Sequence, residues 1–128
     1  MSYYFAKKLE MPFEKTIEHV TQALKEEGFG VLTEIDVKAT MKKKLGIDFR
    51  NYRILGACNP PFAHRALEAE DKIGAMLPCN VIVQELGEGS VEVAAVDPVA
   101  SMQAIQNPEL ADVALEIQAK LKRLVENL

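Results

Sequence analysis

The sequence contains no tryptophan, no long apolar run and no excess of positive charge. A membrane-spanning helix needs about 20 consecutive apolar residues, so the absence of such a run argues against a membrane protein. Residues 1–8 also lack the charged and then apolar order of a signal peptide, and we therefore expect a cytoplasmic location. A net charge of −4 argues against nucleic acid as a partner, because phosphate binding requires a cationic face.

Motifs of several common enzyme classes are also missing. The glycines form no GxGxxG or Walker-type loop, and their spacing is typical of turns. Neither Ser90 nor Ser101 lies in an arrangement with His and Asp that is typical of serine hydrolases. The two cysteines form no CxxC motif, so the sequence indicates neither a disulfide framework nor a zinc finger.

The length and composition predict one globular domain over residues 1–128. Hydrophobic residues make up 48% of the chain and charged residues 27%, which is typical of a folded soluble domain. A chain of this size can bury most of its apolar surface without metal or disulfide cross-links.

Strand and helix patterns alternate along the chain in the order β-α-β-α-β-α-β-β-α. Strands are predicted at residues 2–9, 30–35, 52–58, 79–86 and 90–96. Helices are predicted at residues 12–28, 37–45, 60–70 and 108–128, with further helical turns at 71–77 and 98–105. The glycines of residues 87–89 predict a hairpin. We therefore expect an α+β fold, mainly antiparallel, whose sheet is covered by the first and last helices.

Cap signals define several of the predicted helix ends. Asp36 is expected to cap the second helix and Gly46 to end it, with Val37, Met41 and Leu45 facing inward. An Asn-Pro pair begins the third helix at Asn59, and a second such pair at residues 107–108 begins the last helix.

The candidate site is a Cys-Asn dipeptide that occurs twice. One copy ends a predicted strand and the other begins the next strand. If the chain returns antiparallel, both cysteines lie at one edge of the sheet, beside the N-terminus of a helix. The candidate ligand-binding residues are the two dipeptides, their flanking prolines and one histidine: Cys58, Asn59, Pro60, His64, Pro78, Cys79 and Asn80.

The chemistry of these residues leaves three functions open. A helix N-terminus favours thiolate over thiol. Two thiolates and an imidazole form a set that accommodates zinc, copper or iron, which makes Cys58, Cys79 and His64 candidate metal ligands. We favour a small binding module that takes a metal ion or a small soft ligand, with the asparagine amides donating hydrogen bonds around it. A thiol redox or sulfur-handling protein, in which one cysteine attacks and the other resolves, is the second hypothesis. The third is a structural or interaction protein with inert, buried cysteines.

The segments around both cysteines also resemble a known family. The run YRILGACNPPFAHRAL at residues 52–67 resembles the signature of a prokaryotic family catalogued as domain of unknown function 302. Residues 30–36, 73–81 and 95–98 match it too, so the resemblance covers nearly the whole chain. It implies a fold similar to one repeat of the TATA-binding protein with added helices, and a homodimer, but no established activity. We expect no DNA binding from that fold, because the chain is acidic and fold does not determine function.

Overall fold

The computed structural model describes residues 2–128, and Met1 lies outside this range. The strands are β1 (Tyr4–Glu10), β2 (Gly30–Asp36), β3 (Tyr52–Cys58), β4 (Cys79–Gly87) and β5 (Ser90–Val96). The helices are α1 (Phe13–Glu26), α2 (Val37–Leu45), α3 (Pro60–Ala69), α4 (Pro98–Ser101) and α5 (Pro108–Glu126), and a 3₁₀ helix spans Asp71–Met76. This order confirms the α+β class that the sequence predicts.

The strands form one sheet in the order β1-β5-β4-β3-β2, and every neighbouring pair is antiparallel. The β4–β5 pair is a hairpin whose turn contains Gly89 at φ +74°, a left-handed conformation that glycine adopts without a steric penalty. The predicted hairpin is therefore confirmed. β1 and β2 are the two edges, and the aromatic N-terminal strand occupies one of them as its sequence indicates.

One face of the sheet is buried and the other is open. The alternating valines of β4 and β5, such as Val81, Val83 and Val93, are fully buried beneath α1 and α5. Side chains at the positions between them, such as Ile82 and Ala94, stay partly exposed. Because strand side chains alternate between faces, the core forms on the helical side alone. The predicted cover by the first and last helices is confirmed.

Helix α2 departs from its prediction. Asp36 caps it, accepting a hydrogen bond of 2.9 Å from the backbone N–H of Ala39, and Gly46 ends it at φ +68°. The expected inward face is wrong, however, since no residue of α2 is buried and Leu45 is 66% exposed. α2 follows the edge strand β2 and has β2 and β3 as its main neighbours, so no second layer covers its apolar side chains.

The longest helix is α5, with 19 residues, and it supplies much of the core. Its buried residues recur at helical spacing and form one face: Leu110, Val113, Ala114, Ile117, Leu121, Leu124 and Val125. Within residues 2–128 no helix, α5 included, is both long and apolar enough to cross a membrane.

Candidate functional site

An apolar cavity of about 340 Å³ lies where β3 ends and β4 begins, between the sheet and helices α3 and α5. Its lining comes from the start of β2, the β3–α3 junction, α3, the segment before β4, α4 and α5. The lining residues are Phe29, Leu32, Ala57, Cys58, Asn59, Phe62, Ala63, Ala66, Leu67, Gly74, Leu77, Pro78, Cys79, Pro98, Met102, Leu110, Val113, Ala114 and Ile117. This set contains no charged side chain. Asn59 and the two thiols are its only side chains with polar atoms.

The cavity opens to solvent between β2 and α3. Leu32, at an irregularity of the β2–β3 ladder, is 69% exposed, and Leu67 on α3 is 45% exposed. Other lining side chains, among them Ala57 and Leu110, are buried. Two exposed leucines therefore flank the mouth of a pocket whose interior is apolar.

The structure brings together four of the seven predicted site residues. Cys58, Asn59, Pro78 and Cys79 line the cavity, as their placement at adjoining strand ends predicts. Pro60, His64 and Asn80 do not line it. Pro60 is exposed at the start of α3.

His64 faces solvent rather than the thiols. Its side chain is 75% exposed, and Nε2 lies 3.2 Å from Oε1 of Glu68, one turn further along α3. Residues 63, 66 and 67 of this helix face the cavity, so helical geometry directs residues 64 and 68 away from it. The sequence leaves the direction of the His64 side chain open, and the structure places it on the solvent side of α3.

Asn80 lies on the open face of the sheet. It pairs with Gly56, and its neighbour Cys79 pairs with Ala57 on the buried side. Because successive strand residues point to opposite faces, Asn80 instead lines a depression of about 410 Å³ on that face, beside Tyr4 and Tyr52.

Both cysteines are free, and they differ in environment. Burial raises the pKa of the Cys79 thiol from 9.0 to about 11, and the neighbouring Cys58 adds to this shift. The sequence predicts the opposite direction from the nearby helix N-terminus. For Cys79 the loss of water contact outweighs the helix, because an ionised thiol in apolar surroundings is poorly solvated.

A three-ligand metal cluster is absent from the part of the chain that the structure describes. No three His, Cys, Asp or Glu side chains of residues 2–128 lie close enough together to hold a metal ion. The structure does not bring His64 to Cys58 and Cys79. Metal binding by these residues stays a prediction.

Asn59 occupies the cap position of α3 as predicted, but its side chain makes no capping bond. A capping side chain bonds the N–H of the second or third helical residue. The second position here is Pro61, which has no N–H. The Asn59 amide instead donates a hydrogen bond of 3.4 Å to the backbone carbonyl of Glu27, just after α1.

Glu27 is itself held in place by α5. Arg123 donates two hydrogen bonds to its carboxylate, from Nε at 2.8 Å and from Nη2 at 2.6 Å. This bidentate pair lowers the pKa of the Glu27 carboxyl below its usual value. The carbonyl that positions Asn59 therefore belongs to a residue fixed between α1 and α5.

Two further polar side chains tie the cavity walls together. Asn107 caps α5 by accepting a hydrogen bond from the N–H of Glu109, and its amide donates one of 2.8 Å to the carbonyl of Ala69 at the end of α3. Asp97 accepts hydrogen bonds from the first turn of α4 and from Gln118 of α5. Side-chain hydrogen bonds thus connect α5 with α3 and with the start of α4, the three helices that form the walls of the cavity.

Gly56 allows the segment before β4 to approach β3 closely. A Cβ atom at this position would lie 2.7 Å from Cγ of Pro78 and would also collide with the hydroxyl of Thr33. Only glycine fits here without displacing Pro78, which lines the cavity beside Cys79.

A comparison with protein families identifies a family whose model matches nearly the whole chain. The family model described as Domain of unknown function DUF302 matches residues 5–128. This range includes the whole cavity and all five strands, except for the first residue of β1. The chain belongs to the DUF302 family. The resemblance carried by the two cysteine motifs is thereby confirmed.

A solved structure shows the same fold. The crystal structure of an uncharacterized conserved DUF302 protein from Bacillus stearothermophilus superposes with a TM-score of 0.89 at 28% sequence identity. The match covers 98% of this chain and 98% of that chain. Among curated proteins, none matches this DUF302 chain.

Sequence reasoning missed most of the apolar lining. Phe62, Met102 and Ile117 follow helical spacing that is also typical of an ordinary core. The signal that distinguishes a cavity from a core is the small side chains on facing helices, Ala63 of α3 and Ala114 of α5. That signal becomes readable only once α3 is known to pack against α5.

Proposed function

We propose that this DUF302 protein is a small-molecule binding module whose cavity takes a neutral, mostly apolar ligand. The observation that carries the proposal is a volume of about 340 Å³ lined without one charged side chain. Protein interiors rarely contain empty spaces larger than a water molecule. Ligand pockets, by contrast, are concave, mostly apolar and roughly 300–1,000 Å³ in volume.

The volume defines the size of the ligand. A volume of about 340 Å³ lies at the lower end of the range for ligand pockets, roughly 300–1,000 Å³, which indicates a small ligand. A bicyclic aromatic compound or a chain of similar size meets this limit. The two leucines at the mouth extend the apolar surface outward.

The apolar lining also disfavours charged ligands. An ion inside the cavity would lose its hydration and find no charged partner, which costs several kcal/mol. Cys79 remains a neutral thiol at neutral pH, since burial raises its pKa to about 11. A metal ion would have to displace that proton before binding. The neutral thiols of Cys58 and Cys79 are better suited to soft, polarisable contact with an uncharged ligand.

The thiol redox hypothesis stays a prediction. Cys79 pairs with Ala57, so the cysteines are offset by one residue across the β3–β4 ladder. Both cysteines line the cavity, and both are free. A disulfide requires their Cβ atoms to face each other at close range.

Titration with naphthalene and with the charged analogue 1-naphthoate tests the proposal. We expect naphthalene to bind the wild-type protein in the cavity and 1-naphthoate to bind at least about tenfold more weakly, which is 1.4 kcal/mol. Ala114→Leu places three more carbon atoms in the cavity and should abolish naphthalene binding. Ala119→Leu is the matched control, because residue 119 lies on the same helix but is exposed and outside the lining. Equal naphthalene affinity of both variants would contradict the proposal and favour the structural or interaction hypothesis.

The homodimer and the cytoplasmic location stay predictions. The open face of the sheet, with Tyr52, Ile54 and Ile82 partly exposed, is the surface that we propose for a second copy. Sedimentation equilibrium of the full chain measures the oligomeric state directly, and a monomer at all concentrations would refute the dimer.

A further inference from the structure

The cavity contains one strongly polar side chain, and that side chain is buried. Asn59 is 8% exposed, and Thr16 is the other buried polar residue among those the structure describes. The Thr16 hydroxyl donates a hydrogen bond of 2.9 Å to the carbonyl of Pro12, so its position is explained by helix α1. Asn59 lines the cavity, and its hydrogen bonding is incomplete.

The orientation of the Asn59 carboxamide follows from its neighbour. The carbonyl of Glu27 accepts a hydrogen bond of 3.4 Å, so the nitrogen Nδ2 must be the atom that faces it. Gly28 permits this approach, since a Cβ atom there would lie 3.1 Å from Nδ2. The carboxamide is planar, and fixing Nδ2 beside α1 therefore fixes the direction of Oδ1.

The oxygen Oδ1 of Asn59 accepts no hydrogen bond from any residue that the structure describes. Pro61 at the second helical position has no N–H to donate, and the Asn59 side chain makes no bond to the N–H of the third helical residue either. Oδ1 is not closed off from solvent, since Arg53 Nε is the buried side-chain atom that lacks a partner among the described residues. Oδ1 therefore keeps a free lone pair that a donor entering the cavity can use.

The other polar atoms of the lining do not replace Asn59 in this role. The thiols of Cys58 and Cys79 are weak donors and weak acceptors, and Cys79 stays protonated at neutral pH because burial raises its pKa to about 11. Asn59 is therefore the one lining side chain that can form a hydrogen bond of ordinary strength with a ligand.

We infer that Asn59 is the polar recognition residue of the cavity, and that the ligand is a neutral, apolar molecule carrying one hydroxyl or N–H donor directed at Oδ1. This inference rests on the proposed function, which it extends from size and polarity to a defined hydrogen bond. Aromatic alcohols and indole-like compounds are uncharged, mostly apolar and carry one such donor, and they are therefore the ligands that we expect.

Three ligands of nearly equal size test the inference by isothermal titration calorimetry. 1-Naphthol donates a hydrogen bond, while 1-methoxynaphthalene and naphthalene do not. We expect the wild-type protein to bind 1-naphthol about tenfold more tightly than either other compound, since one hydrogen bond to an otherwise unpaired acceptor supplies a difference of that order. The Asn59→Ala variant should bind all three with similar affinity.

Asn80→Ala is the matched control, because Asn80 belongs to the second Cys-Asn dipeptide and lies on the open face of the sheet. It should keep the preference for 1-naphthol. If Asn59→Ala fails to fold, the wild-type ligand comparison still decides, together with the side-chain amide resonance of Asn59, which should shift with 1-naphthol more than with naphthalene.

The outcomes separate this inference from the proposed function. Equal wild-type affinity for the three compounds would overturn the role of Asn59 while leaving the cavity as a binding site. Unchanged preference in a folded Asn59→Ala variant would also overturn it. Absence of binding by all three compounds would overturn both proposals.

Discussion

Raising the pH from about 8 to about 10.5 should destabilise the wild-type protein by about 2 kcal/mol more than it destabilises Cys79→Ala. Burial raises the pKa of Cys79 in the native state to about 11, from 9.0 for an exposed thiol. The unfolded chain therefore loses this proton at lower pH than the native protein does. The contribution is fully present below pH 9.0 and is lost as the pH rises through about 11.

The magnitude follows from the gap between the two pKa values. Each unit corresponds to about 1.4 kcal/mol, so the full difference is about 3 kcal/mol, of which about 2 kcal/mol appears by pH 10.5. Urea unfolding followed by circular dichroism, with reductant present, measures the free energy of unfolding of both proteins across this range. The comparison removes the contribution of the lysine and tyrosine side chains, which both proteins share.

If the difference in the free energy of unfolding between the two proteins stays constant with pH, the reasoning is refuted. It would mean that the Cys79 thiol is as well solvated in the native state as in the unfolded chain. Alkylation gives an independent check, since iodoacetamide at about pH 8 should modify the half-buried Cys58 well before Cys79.

Two further substitutions test the packing around the cavity. Ala114→Leu should raise the free energy of unfolding by about 1–2 kcal/mol in urea titrations, because it buries new apolar carbon in existing space, while Ala119→Leu should change it by less than about 0.5 kcal/mol. A loss of stability in Ala114→Leu would mean that the space is filled by packing. Gly56→Ala should lower the free energy of unfolding by about 1–3 kcal/mol, because the new methyl group would collide with Pro78. Gly30→Ala, with no atom within 4 Å of its new Cβ, should show no such loss, and equal effects of the two glycine substitutions would contradict the close approach at Gly56.

Local patterns were sufficient to predict most of the fold. The strands, the hairpin and the amphipathic helix α5 depend on neighbouring residues in the sequence, and their order alone selects an antiparallel sheet with helices on it. The exposure of α2 was not predictable in this way. Val37, Met41 and Leu45 have the spacing of a buried face, but burial requires a second layer that the edge strand β2 does not have.

The candidate site was only partly predictable for a related reason. The adjoining ends of β3 and β4 bring Cys58 and Cys79 to one cavity, and the position of each cysteine at the end of a strand is readable from the sequence. The direction of a side chain depends on helix phase and strand register, which turn His64 and Asn80 to other surfaces. The rise of the Cys79 pKa depends on burial, which results from the packing of distant segments of the chain and cannot be predicted from the residues next to Cys79.

The central claim is that the cavity is the ligand-binding site. The location of a bound ligand tests this claim most directly, because the open face of the sheet is a second apolar surface that could bind the same compound. Intermolecular nuclear Overhauser effects between naphthalene and protein with labelled methyl groups identify the site that it occupies. We expect contacts to the methyl groups of Met102, Leu110 and Ile117, which line the cavity. Contacts confined to Ile54 and Ile82 on the open face, or no contacts at all, would contradict the account.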